Sequence, residues 1–257
     1  MSATTPAPAA TTTVSATVPP AGAVNLGVVS KTVPHDPKSS YASALIGAVD
    51  RCLTAALLEP NIDSAKGFYA IDGMSGKKYR HFINALIRSL DDARYLEVGS
   101  WAGSTLCSAI HHNAVRAVAI DNWSEFGGPK DVFQAHLKLF ATPAAKVTFI
   151  ESDFRTVNYR DIGAFNVYLF DGPHEAKDQY DGLALALPAL DNQFVFIVDD
   201  WNWERVRAGT TSAIKKCGLQ VLYAAEIKTT ADNTHPLFAG KHSDWHNGYF
   251  ISVLAKP

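Results

Sequence analysis

The sequence predicts an α/β fold: a mostly parallel seven-stranded sheet with an antiparallel last strand, helices on both faces and extra N-terminal helices. Three observations predict it. From Arg94 onward, short apolar runs alternate with segments of helical period, the pattern of a parallel sheet covered on both sides. The last apolar run, 248–254, follows a long polar excursion over 228–247 instead of a helix, and a strand that enters without a helical crossover runs antiparallel to its predecessor. The first five runs each end in glycine or a carboxylate (Gly99, Asp121, Glu151, Asp171, Asp199), and ligands of open parallel sheets bind outside those carboxyl ends.

In chain order, Ala44, Leu45, Val49, Cys52, Leu53, Ala56 and Leu57 recur at helical spacing over 41–58, and Pro60 closes that helix. A second helix over 78–90 presents Phe82, Leu86, Ile87 and Leu90 on one face. Between them, 67–77 is a loop of small and polar residues. The strand expectations are 94–98, 116–120, 146–150, 166–170, 194–198, 219–224 and 248–254. Helices are expected over 104–112, 130–140, 175–190 and 203–216, with a turn of helix near 156–162. Residues 1–38, rich in Ala, Thr, Pro and Ser with no charged side chain before Lys31, read as a disordered low-complexity tail. Residues 39–92 read as a helical cap or lid, and 93–257 as the catalytic domain.

At 257 residues, 47% hydrophobic and 19% charged, the chain suits one sizeable α/β domain with appendages. A formal net charge of -2 offers no surface for a polyanion, which argues against nucleic acid as the main partner. Cys52, Cys107 and Cys217 are odd in number and lack the spacing of a zinc site. They fit a reducing compartment, and no apolar run approaches the ~20 residues that span a bilayer. A cytoplasmic protein without a membrane partner is expected, and the apolar helix pair ahead of the sheet is a candidate homodimer surface.

The chemistry gathers at the strand ends. After the first strand, Gly99 and Gly103 break the chain into a helix start, letting the backbone approach a ligand. Asp121 stands after the second strand, where a carboxylate accepts the hydroxyls of a ribose. After the third stands Asp153, either an adenine contact or a helix cap. Asp171 closes the fourth strand and Asp199-Asp200 the fifth. Three carboxylates at adjacent strand ends call for a cation or a shared proton, and hard oxygen ligands suit Mg²⁺, Mn²⁺ or Ca²⁺. His174, three residues beyond Asp171, is placed to take a proton from a hydroxyl near that ion. His235, His242 and His246 lie in the late excursion.

These residues, Glu97-Val-Gly-Ser-Trp-Ala-Gly-Ser-Thr105, Asp121, Asp171-Gly-Pro-His174 and Asp199-Asp-Trp201, resemble the class I S-adenosylmethionine-dependent methyltransferases. More narrowly, they are similar to the metal-dependent O-methyltransferases of the catechol and macrocin (sugar) types. The resemblance implies the Rossmann-like fold of that class, S-adenosylmethionine as cofactor and a divalent cation, Mg²⁺ first among them. It implies cofactor contacts from Glu97, Gly99, Ser100, Trp101, Gly103, Ser104, Asp121, Asn122, Trp123, Asp153, Phe154 and Asp171. It also implies a metal held by Asp171, Asp199 and Asp200, with His174 as general base. The implied reaction is methyl transfer to a hydroxyl of a small molecule, a sugar or a phenolic natural product. Ser100 and Ala102 depart from the denser glycine pattern of many members. Two alternatives stand beside this. A nicotinamide-dependent oxidoreductase would share the glycine turn and Asp121, although Gly99 and Gly103 lack dinucleotide spacing. A non-catalytic binding protein would keep the fold alone.

Overall fold

A computed structural model describes residues 11–13, 28–32 and 39–257. Strands β1 (Thr11–Thr13) and β2 (Val28–Thr32) precede helices α1 (Ser40–Leu58) and α2 (Lys77–Ser89). Then follow β3 (Ala93–Val98), α3 (Ser104–Ile110), β4 (Val115–Asp121), α4 (Lys130–Phe140), β5 (Ala145–Glu151) and β6 (Phe165–Phe170). The chain ends with α5 (Ala176–Ala186), β7 (Leu190–Val198), α6 (Glu204–Lys216), β8 (Gln220–Lys228) and β9 (Tyr249–Ala255). The expected turn of helix near 156–162 is a series of non-helical turns.

All seven expected strands lie in one sheet of order β1-β2-β8-β9-β7-β6-β3-β4-β5. Strands β3 to β7 pair in parallel, and β9 runs antiparallel between β7 and β8, as its entry without a helix predicts. The strand order reverses at β3, flanked by β4 and β6, so the crevice for a ligand opens there. The expectation of a disordered tail needs correction at β2. Val28–Thr32 pairs antiparallel with β8, and Lys31 Nζ donates to Asp50 Oδ1 on α1 at 2.8 Å. Its β-branched residues suit a strand, and β8 would otherwise leave a free edge. The rest of 1–38, apart from Thr11–Thr13, lies outside the described residues.

Alternation along the strands divides the core in two. Tyr95, Ala117, Ala119, Val167, Leu169, Val195 and Ile197 face α1, α2 and α3. Their neighbours Leu96, Val118, Ile120, Tyr168, Phe170 and Phe196 face α5 and α6, against Leu183 and Val206. Successive side chains of a strand point to opposite faces, and both faces here are covered. Helix α1 is long and apolar enough to cross a membrane, contrary to the expectation that no such run exists. Its buried face, Leu45, Val49 and Leu53, belongs to the same core as the sheet. Residues 39–92 are therefore packed into the domain, and what stands over the glycine loop is the segment between α1 and α2.

Arg80 fixes that segment. Its guanidinium, fully buried, donates to the carbonyls of Phe68, Tyr69 and Ile71 and to Ser75 Oγ, at 2.7 to 3.1 Å. Ser75 Oγ in turn meets Ser104 Oγ at the start of α3, 2.9 Å away. Gly73 is required here, since a Cβ would fall 2.3 Å from Ser104 Oγ. Loss of Arg80 strands several buried carbonyls, each carrying a desolvation penalty of about 1–3 kcal/mol. Arg80→Ala is expected to raise hydrogen exchange across 67–76 while leaving β6 and β7 protected. Exchange measured by mass spectrometry checks this; unchanged protection of 67–76 would count against the clamp.

Candidate functional site

A cavity of about 470 Å³ opens at the carboxyl ends of β3, β4, β6 and β7, within the range of small-molecule sites. Gly99, Trp101, Asp121, Asn122 and Phe154 line one half. Met74, His174, Asp200, Trp203, His235 and His246 line the other, and Asp171 is also on the wall. Four of these wall residues and rim partners (Trp101, Phe126, Asp200, His246) hold positive φ without being glycine. Such strain concentrates at functional sites.

The glycine loop is built by close packing. Gly99 stands at φ 87°, and a Cβ there would lie 1.9 Å from the Asp171 carbonyl oxygen. The turn therefore brings β3 against the end of β6. Asp121 holds the loop from the other side. Its Oδ2 accepts the backbone N–H groups of Ser100 and Trp101 at 2.8 and 2.7 Å, and Oδ1 accepts that of Trp123 at 2.7 Å. Asp121 thus shapes the loop as well as lining the cavity, a task its expected ribose contact did not include. The indoles join the same cover: Trp101 Nε1 donates to the Phe126 carbonyl, and Trp123 Nε1 to that of Trp101.

Glu97 lies beneath the loop, fully buried. Tyr95 Oη donates to its Oε2 at 2.6 Å, while Oε1 and the nearby Ser100 Oγ have no hydrogen-bond partner. Burial pushes the Glu97 carboxyl up to about 7, against the nearby hydroxyls of Tyr95, Ser100 and Thr105 that pull it down. Between its ordinary 4.5 and 7, the folded chain holds a proton that the unfolded chain has lost. Stability therefore falls as pH rises through that window and levels above it, by about 3 kcal/mol. Asp171 and Asp199 add slopes of the same sign, so the contrast with a variant isolates Glu97. Glu97→Gln is expected to remove that share of the loss, as measured by urea denaturation at pH 5, 6, 7 and 8.

At the other half, ligand atoms of Asp171, His174 and Asp200 lie within 4.8 Å of one another. His174 Nε2 is 2.5 Å from Asp200 Oδ2. Burial, with Asp199 and Asp200 nearby, holds the Asp171 carboxyl well above the usual range. Burial also opposes ionisation of Asp200, yet the hydrogen bonds from His174 and Asn247 help bring its carboxyl below the usual range. Asp199 differs from expectation. It stands behind this group, with Oδ1 accepting the Asp200 N–H at 2.6 Å and Oδ2 accepting Tyr249 Oη at 3.0 Å. The turn explains it: both residues lie past the end of β7, and the left-handed backbone at Asp200 (φ 58°) sends the two neighbours to different partners.

Of the expected cofactor residues, Gly99, Trp101, Asp121, Asn122, Asp153, Phe154 and Asp171 line the cavity. Glu97, Ser100, Gly103, Ser104 and Trp123 do not. Ser104 is turned to Ser75, and Trp123 packs on Phe133 and Phe149. Asp153 caps no helix; its Oδ1 accepts the Arg155 N–H at 2.8 Å and closes a turn. The residues that sequence reasoning missed come from the excursion between β8 and β9. Asn247 Nδ2 donates to Asp200 Oδ1 at 2.6 Å, and Asn202 ties the excursion down through Thr229 and Asn247. The histidines there were visible as a cluster, but nothing in their spacing showed that His235 and His246 reach the cavity while His242 lies outside its lining.

Residues 96–201 match a family model described as Methyltransferase domain. The match runs from within β3 to just past β7, so it takes in the glycine loop, Asp121, Asp171, His174, Asp199 and Asp200. The resemblance to class I S-adenosylmethionine-dependent methyltransferases is borne out over this span. The fold also has structural counterparts. Cofactor-bound Rv0187 from MTB is similar at 14% identity and TM-score 0.50, over 83% of this chain and 90% of that one. The SAH-bound Podospora anserina methyltransferase PaMTH1 is similar at 11% identity and TM-score 0.50, over 86% and 89% of the two chains. At such identities the likeness is one of fold. No curated protein matches the sequence.

Proposed function

We propose that the protein transfers a methyl group from S-adenosylmethionine to a hydroxyl oxygen of a small-molecule acceptor, assisted by a divalent cation. The observation that carries this is one cavity with two unlike halves: a glycine loop over the buried Glu97 carboxyl, whose Oε1 is unpaired, and a carboxylate–histidine group facing it. Just beneath the loop, the unpaired Glu97 Oε1 suits the cationic amino end of the cofactor, and its carboxylate form would repel a phosphate, which weighs against a nicotinamide dinucleotide. The SAH in the PaMTH1 structure supports the same cofactor. When bound, S-adenosylmethionine supplies an electrophilic methyl group on a sulfonium. A divalent cation would supply a Lewis acid that lowers the pKa of the acceptor hydroxyl.

The chain's own residues do the rest. Gly99 and Asp121 keep the loop in its turn, and Phe154 with Asn122 walls the nucleoside half. Asp171 and Asp200, the two carboxylates on the cavity wall, would hold the cation, with Asp199 orienting Asp200 from behind. Asp200 pairs with Nε2 of His174, leaving Nδ1 as the basic nitrogen. A proton taken there gives an imidazolium that Asp200 stabilises, the usual logic of a carboxylate–histidine pair. The acceptor enters beside Trp203 and the 228–247 excursion. A net charge of -2 supports a small acceptor over nucleic acid.

Mn²⁺ binding followed by electron paramagnetic resonance tests the metal assignment. Asp171→Asn is expected to weaken Mn²⁺ at least tenfold, and Asp199→Asn by less than threefold. Equal loss in both variants would restore Asp199 as a direct ligand. No binding to the unmodified protein would remove the cation and leave methyl transfer standing.

A further inference from the structure

The far wall of the cavity comes from the excursion between β8 and β9, and His246 is its most constrained side chain. It is 5% exposed and lines the cavity. Its backbone stands at φ 45°, a left-handed conformation that the surroundings must impose. They do so through three hydrogen bonds. The His246 N–H donates to Ser243 Oγ at 2.9 Å, and its carbonyl accepts from Thr229 Oγ1 at 2.9 Å. Nδ1 of the ring accepts the backbone N–H of Gly240 at 3.0 Å. Gly240 can approach because it has no side chain: a Cβ would fall 2.5 Å from the Gly73 carbonyl oxygen. The ring edge also packs on His235, 5.2 Å between centroids.

The bond from Gly240 decides the tautomer. A ring nitrogen that accepts an N–H carries no proton, so the proton of His246 sits on Nε2. An imidazolium is excluded on the same ground, since Nδ1–H would oppose the Gly240 N–H. A nitrogen bearing its proton neither ligates a cation nor accepts a proton. His246 is therefore unlike His174: it is a fixed donor on the part of the cavity wall that the excursion supplies.

We propose that His246 is a positioning residue whose Nε2–H donates to an oxygen of the methyl acceptor, selecting acceptors that present a lone pair at that wall. The role deepens the methyl-transfer assignment and rests on it, but the tautomer does not. Long-range ¹H–¹⁵N spectra of the full-length protein at pH 7, assigned with His246→Gln, read the tautomer without any ligand. A pyrrole-type Nε2 and a pyridine-type Nδ1 are expected, unchanged by Mg²⁺. A protonated Nδ1, or loss of the Nε2 proton on adding Mg²⁺, would overturn the proposal.

Phenol then serves as the oxygen probe, added to the protein saturated with S-adenosylhomocysteine. Its binding is expected to move the Nε2–H resonance. His246→Leu should weaken phenol about tenfold, the effect of one lost hydrogen bond. His246→Gln, which keeps an amide N–H where Nε2 stands, should stay within about threefold. Equal weakening by both substitutions, or no response of Nε2–H to phenol, would overturn the proposal. Failure of S-adenosylhomocysteine to bind would instead sink the methyltransferase assignment, leaving the tautomer result intact.

Discussion

Asp200→Asn should lower kcat for methyl transfer by about a thousandfold while S-adenosylhomocysteine affinity stays within about threefold. The substitution removes one carboxylate of the proposed cation group and the partner of His174 together. General acid–base catalysis alone contributes about 10²–10⁴ in rate, and loss of a cation ligand adds to it. The fold should survive. Asparagine tolerates the left-handed backbone at this position, where φ is 58°, and its amide oxygen can still accept from Asn247. Release of S-adenosylhomocysteine, with catechol as the test acceptor, measures the rate. A variant within tenfold of the unmodified protein would show that Asp200 does not take part.

Gly99→Ala is the second large effect, and it acts on the fold. The new Cβ would meet the Asp171 carbonyl oxygen at 1.9 Å, a backbone atom with no rotamer to escape into. An alanine at φ 87° is strained besides. Relief requires β3 and the end of β6 to separate, which also moves Asp171. A loss of about 4 kcal/mol is expected, with a Tm lower by roughly 10 °C. Thermal unfolding followed by circular dichroism measures it. Gly127→Ala is the control: that glycine also has positive φ but meets nothing within 4 Å, so its loss should be about 1 kcal/mol.

The parts of this protein legible in the sequence are those governed by local period. Strands β3, β4, β6 and β7 read clearly because runs buried on both faces are rich in apolar residues. The edge strand β5, half-buried at most, reads from its alternation, and each run ends in a residue that breaks it. Asp171, His174 and Asp200 were legible because strand ends of a parallel sheet converge. What escaped depends on non-local contact. Asp199 and Asp200 are adjacent in sequence, and only the turn after β7 and Tyr249 on β9 separate their roles. The lone strand Val28–Thr32 hides in a low-complexity stretch, since its order comes from pairing with β8. Arg80 looks like one more charge on a helix, and its burial depends on the loop that wraps it. The excursion over 228–247 has no period at all, yet Asn202 and Thr229 dock it so that His246 and Asn247 reach the site.

Calorimetric titration with S-adenosylhomocysteine tests the central claim most directly, because the proposed roles of the glycine loop, Glu97 and Asp121 all meet on that cofactor. One site per chain in the micromolar range is expected, weakened at least tenfold by Glu97→Gln, with no competition from NAD. Absence of binding heat at any concentration up to the millimolar range, or displacement by NAD, would contradict the account.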